Sequence, residues 1–277
     1  MLGRGAAEGG GMEEWTPTPA PRAPGARARL GPWQATWLVL GFGLVQVIAG
    51  FALLFARGVA VRLVARMRHV DIVVPPPSAQ FLAFVAIAAY GLAGLWCYRF
   101  VLRRAGALLH DGGPSGVGLC PAPRRGYVAA VVLGACVAAV AVTLLHAVPP
   151  DRAQASQRVF VRALEGSGES RAAMLLLILA LLLLAGPLVE EFVFRGAALA
   201  GFTARFGRAG AGTISTALFV IAHAQEKLQY PPGFIDVALM AVAALWLRWH
   251  YRSLRPAVLC HALYNFGVIA GAATLLR

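Results

Sequence analysis

About seven apolar runs, each near the ~20 residues a helix needs to cross a bilayer, divide this chain into segments with few ways to fold. Their approximate bounds are 35–56, 79–100, 127–148, 172–192, 209–227, 234–250 and 256–275. Hydrocarbon offers no partner to an exposed N–H or C=O, so each run must satisfy its own backbone as a helix. The expected fold is all-α, a polytopic transmembrane helix bundle of about seven spans. The fifth and sixth runs are the shortest, cut by Gly210, Gly212 and the Pro231-Pro232-Gly233 turn.

Composition agrees: 59% of the residues are hydrophobic and only 13% charged, the balance of an integral membrane protein. Residues 1–32 are rich in Gly, Pro, Ala and Arg without apolar periodicity and read as a disordered tail. The first apolar run starts too far along, and is too long, for a cleaved secretory signal. Residues 33–150 then form the N-terminal transmembrane helices, and residues 170–275 a second, more polar set. Of the 25 basic residues only Lys227 is lysine. With the heavy Ala, Gly and Val usage, this points to a GC-rich genome and a bacterial plasma membrane. The net charge of +13 is spread over loops that would meet anionic lipid. No basic stripe with interleaved aromatics is present, so nucleic acid is not an expected partner.

Arginines are denser in the tail and in the loops after the second, fourth and sixth runs, which favours a cytoplasmic N-terminus. Gly58–Met67 and Arg195–Phe206 are expected to lie in the membrane interface. No internal repeat is evident, and the first three runs contain few polar residues; both disfavour a transporter or channel. Cys97, Cys120, Cys136 and Cys260 form no Cys-x-x-Cys pair and read as small core residues.

Chemistry concentrates in the later runs. The fourth ends in Glu190-Glu191-Phe-Val-Phe-Arg195, which sets two of the chain's 12 acidic residues side by side against hydrocarbon. A carboxylate there costs at least ~2.5–3.5 kcal/mol, so it is rarely idle. Glu191 and Arg195 are i,i+4 neighbours and can pair on one helical face, whereas Glu190 points ~100° away, toward the bundle interior. The fifth run ends in Phe219-Val-Ile-Ala-His223, and the seventh carries His261-Ala-Leu-Tyr-Asn265 on one face. Each group alone reads as structural: a border salt bridge, a satisfied histidine, an interhelical His/Asn contact. Together they supply what hydrolysis requires, a carboxylate or imidazole base and His and Asn donors for an oxyanion. Glu190, His223 and His261 are also the donor types of a three-ligand zinc site, although no His-Glu-x-x-His motif occurs. Asp236 reads as a helix-start residue, and Glu226 and Lys227 as loop charges. His69, His110, His146 and His250 have no second ligand at useful spacing.

The ordered trio Glu-Glu-x-x-x-Arg, Phe-x-x-x-His and His-x-x-x-Asn resembles the CPBP family. This family comprises the type II CAAX prenyl endopeptidases and the bacteriocin-processing or immunity proteins formerly called Abi. The resemblance covers roughly residues 170–275, and Gly196 after Arg195 also fits the pattern. It implies an intramembrane endopeptidase acting on a membrane-associated or lipid-anchored peptide. Glu190 would activate water with help from His223, while His261 and Asn265 would stabilise the oxyanion. Glu191 and Arg195 would orient the site. Family members have been described as metalloproteases and as metal-free glutamate proteases. Zinc or another divalent metal on Glu190, His223 and His261 therefore stands beside a metal-free mechanism. The alternative function is a non-proteolytic bacteriocin-immunity or membrane scaffold protein of the same fold. In a bacterium a leader-bearing peptide is favoured over a prenylated one. One difficulty follows from helix geometry: with Glu190 near the end of its run, His223 would lie ~20 Å along the next helix, at ~1.5 Å per residue. The two meet only if that helix tilts strongly or starts below the surface.

Overall fold

The computed structural model describes residues 29–71, 73–148 and 169–274, so the expected tail over residues 1–32 lies almost wholly outside the described residues. Among the described residues there is no strand. The helices are α1 (Pro32–Met67), α2 (Ala79–Ala105), α3 (Arg124–Ala147), α4 (Glu169–Leu179), α5 (Gly186–Glu191), α6 (Leu199–Ala222), α7 (Ala224–Lys227), α8 (Gly233–His250) and α9 (Leu254–Thr274). Two π-helical segments, Ala180–Ala185 and Phe192–Ala198, join α4 to α5 and α5 to α6. The all-α helix bundle is thus what the chain forms. Five stretches among the described residues are long and apolar enough to cross a membrane, and this is an integral membrane protein.

Burial follows bilayer logic, with lipid in place of water outside. Along α1, Trp33, Trp37, Leu40, Leu44, Phe51 and Phe55 are exposed, at helical spacing, while Ala35, Leu38 and Phe42 face inward. An apolar outer face is what a lipid-facing helix requires. With 36 residues at ~1.5 Å each, α1 outruns a ~30 Å hydrocarbon core, which leaves Gly58–Met67 beyond it. α9 packs most extensively on α3. Their backbones approach closely there: a Cβ added at Gly134 would stand 2.8 Å from the Cys260 carbonyl oxygen, and one at Gly267 2.4 Å from the Ala138 side chain.

Two expectations are corrected. The fourth run does not end near residue 192, and the first part of Arg195–Phe206 is no surface segment: residues 192–202 are buried, residues 204–206 are exposed, and the helix runs on to a break at Gly207. There φ is +65° and ψ −178°, a combination essentially reserved for glycine. The chain reverses at this point. Ser215 Oγ donates to the Phe194 carbonyl at 2.8 Å, and the Phe194 and Phe219 rings meet at 5.3 Å. Glu190 precedes Gly207 by 17 residues and His223 follows it by 16, so an antiparallel hairpin brings both to one depth. The depth mismatch expected from the sequence arose from ending the fourth helix too early. Of the cysteines, Cys97 and Cys260 are core residues as expected, but Cys136 is exposed, on the lipid side.

A Cβ at Gly207 would meet nothing within 4 Å, so substitution there tests the backbone alone. Gly207→Ala is expected to lower stability in detergent by ~1–3 kcal/mol. Gly58→Ala, which also opens into free space but within a regular helix, should be neutral or stabilising by up to ~1 kcal/mol. Parallel thermal unfolding curves decide; equal effects would remove the role assigned to the reversal.

Candidate active site

Local backbone chemistry sets where the two glutamates point. In the first π segment the Gly186 N–H bonds the Leu181 carbonyl rather than that of Leu182. The next residue, Pro187, has no N–H to offer. The Leu182 carbonyl therefore loses its helical partner, and the Asn265 side-chain N–H, from α9, donates to it at 2.7 Å. The short α5 that follows holds Glu190 and Glu191 on adjacent faces, both buried.

Glu191 is fully enclosed and faces inward. Its Oε1 receives Arg195 Nη1 at 3.4 Å and His261 Nδ1 at 2.9 Å. The Arg195 guanidinium lies 4.0 Å from the Phe219 ring centroid, a cation–π contact that covers a charge with 0% exposure. Glu190 faces a cavity of about 660 Å³ that His223, His261, Asn265 and Phe219 also line. Its Oε1 accepts the Tyr90 hydroxyl, from α2, at 3.1 Å. Its Oε2 has no hydrogen-bond partner, and lies 3.7 Å from His223 Nε2 and 3.9 Å from His261 Nε2.

The two imidazoles are fixed from behind. His223 Nδ1 sits 2.9 Å from the Phe219 carbonyl, and His261 Nδ1 is held by Glu191. Carbonyl and carboxylate can only accept, so both Nδ1 atoms carry a proton and both Nε2 atoms are turned toward Glu190. Phe219 fixes the spacing between the rings, at 4.5 Å from His223 and 5.8 Å from His261. Three polar atoms thus converge on a gap too wide for direct hydrogen bonds and wide enough to take a small polar group between them.

Every residue expected from the three motifs reaches this place: Glu190, Phe219, His223, His261 and Asn265 on the cavity, with Glu191 and Arg195 behind them. The donor types suit zinc, yet no group of three or more His, Cys, Asp or Glu among the described residues is arranged to hold a metal ion. Separations of 3.7 and 3.9 Å exceed the roughly 3.4 Å between ligands at ~2.0–2.1 Å from a tetrahedral ion.

Sequence reasoning missed three participants. Tyr90 shows that the first three helices do contribute polar chemistry. Asp236 is more than a helix-start residue, since Tyr264 Oη donates to its Oδ2 at 3.0 Å. Lys227 is not a loop charge but a buried one. A tyrosine in an apolar helix and a lysine near a turn carry no spacing signal that would have singled them out. Residues 172–267 match the family described as type II CAAX prenyl endopeptidase Rce1-like. No curated protein and no solved structure matches the chain.

The buried Glu191–Arg195 pair generates a stability test. Arg195→Met leaves a buried carboxylate short of its cation and is expected to destabilise by ~3–5 kcal/mol. Adding Glu191→Gln should recover a large part of that loss in the double variant. Denaturant titration in detergent reads both; strictly additive losses would show that the two side chains are not energetically coupled.

Proposed function

We propose that this chain, whose residues 172–267 belong to the Rce1-like family of type II CAAX prenyl endopeptidases, hydrolyses a peptide bond in a membrane-associated or lipid-anchored peptide at the Glu190–His223–His261 cavity. The observation that carries the reading is the convergence of Glu190 Oε2 with two back-anchored imidazole Nε2 atoms on one gap. A water in that gap would hydrogen-bond to Glu190, which takes a proton as the water oxygen attacks the scissile carbonyl carbon. The carbonyl π electrons move onto oxygen. To donate to that oxyanion from Nε2 while Nδ1 donates to Glu191, His261 must carry both protons, an imidazolium between two carboxylates. Asn265 uses one N–H on the Leu182 carbonyl and has a second for the oxyanion. When the intermediate collapses, the C–N bond breaks and the proton on Glu190 passes to the leaving amine. His223 orients the water, Tyr90 steadies the other oxygen of Glu190, and Glu191 and Arg195 hold His261.

Cleavage is tested with purified protein in detergent, on a lipidated peptide of the Cys-aliphatic-aliphatic-X type and on a library of unlipidated peptides. Glu190→Gln and His223→Ala should each lose ~10²-fold or more in kcat while inserting and folding as the wild type does. Full activity in both variants would overturn the assignment. Zinc or another divalent ion is the competing activator of the water, and stoichiometric bound metal with chelator-sensitive cleavage would select it. The expected compartment is a bacterial plasma membrane. A wild-type protein that binds peptides but cleaves none would transfer the reading to a bacteriocin-immunity or scaffold protein of this fold.

A further inference from the structure

Lys227 is the chain's one lysine, and its position is unusual for such a residue. It ends α7, one turn beyond His223, with its backbone N–H bonded to the His223 carbonyl at 3.0 Å. Only 7% of its surface is exposed, and it lines the same cavity as Glu190, His223 and His261. Its stem does not reach outward: a Cβ at Gly233 would stand 2.8 Å from Lys227 Cδ, so the side chain is packed against the start of α8. Among the described residues, the ammonium has neither a carboxylate within 4.0 Å nor a hydrogen-bond acceptor. Asp236 is close enough for its charge to be felt, but both its oxygens are engaged, Oδ1 by the Val237 N–H at 2.8 Å and Oδ2 by Tyr264 at 3.0 Å.

Lysine is almost never buried unless paired, yet the Lys227 stem is buried here while the residue lines the cavity without a bonded partner. Asp236 offers its charge without a bond, and the cavity is the side from which a bonded partner can reach Lys227. We propose that Lys227 anchors the terminal carboxylate of the bound peptide, and so sets how far from that terminus the bond at Glu190 is cut. This rests on the peptidase reading above. A C-terminal carboxylate is the one anion that every linear peptide with a free terminus brings, and a single compact ammonium suits it. One helical turn rises ~5.4 Å and an extended residue spans at most ~3.6 Å. The backbone of the anchor thus stands within about two extended residues of that of His223.

The test uses two peptides identical but for the terminus, one a free acid and one a carboxamide, on the full-length protein in detergent. Wild type should cleave the acid with a kcat/KM roughly tenfold or more above the amide, the size of a lost hydrogen bond to a charged group. Lys227→Met should bring that ratio close to one, chiefly by raising KM for the acid, and Lys227→Arg should keep it. A wild-type ratio near one would overturn the proposal. So would a Lys227→Met protein slowed equally on both peptides, since that is a packing effect. If the wild type cleaves neither peptide, the peptidase reading fails on its own. The same acid-to-amide ratio, measured as peptide binding to Glu190→Gln with and without Lys227→Met, then decides the role of Lys227.

Discussion

A carboxylate fully enclosed in a helix bundle needs charge or hydrogen-bond donors to meet it, and the architecture around Glu191 supplies both. Arg195 approaches from its own helix and His261 from α9, and both reach the same oxygen. Each is then fixed by what it gives up. Arg195 spreads its remaining charge over the Phe219 ring, and His261 is left with only Nε2 to present to the cavity. Removing Glu191 would therefore do more than delete one ion pair. It would release the imidazole whose orientation defines one side of the gap at Glu190.

The widened helix turns solve a second problem. A regular α-helix through Gly186 and Pro187 would leave a carbonyl unpaired, because proline supplies no N–H. Here the register shift moves the defect to Leu182, where a side chain from another helix can reach it. Asn265 thus ties α9 to the helix carrying the glutamates, at the level of the site. Ser215 makes a similar tie to the Phe194 carbonyl, in the second widened segment. At the first widened segment Asn265 completes the backbone hydrogen bonding, whereas the Phe194 carbonyl already accepts the Leu199 N–H and Ser215 adds a second donor.

The candidate site was readable from the sequence because its parts are local. Glu191 and Arg195, Phe219 and His223, and His261 and Asn265 are all i,i+4 pairs, visible in a window of five residues. The helices were readable for the same reason, since each apolar run declares itself. What was missed is long-range. Tyr90 meets Glu190 across 100 residues, and nothing near position 90 marks it. The antiparallel hairpin at Gly207 was missed because one glycine beside polar residues looks like a helix end, not a reversal with φ of +65°. Lys227 was misread because burial of a charge near a turn is a property of the packing around it, not of its neighbours in sequence.

The cavity also has electrical polarity, and this limits how a peptide could lie in it. Glu190 offers an unbonded carboxylate oxygen on the side where the imidazoles converge. One helical turn along from His223, Lys227 offers an ammonium without a bonded anion. A peptide entering with its carboxylate toward Lys227 would relieve the unpaired cation and keep its own anion from facing Glu190. The reversed peptide would press its carboxylate against the glutamate and leave Lys227 without a bonded anion. Direction of binding could then follow from two side chains alone, leaving the apolar walls free to accept varied sequences.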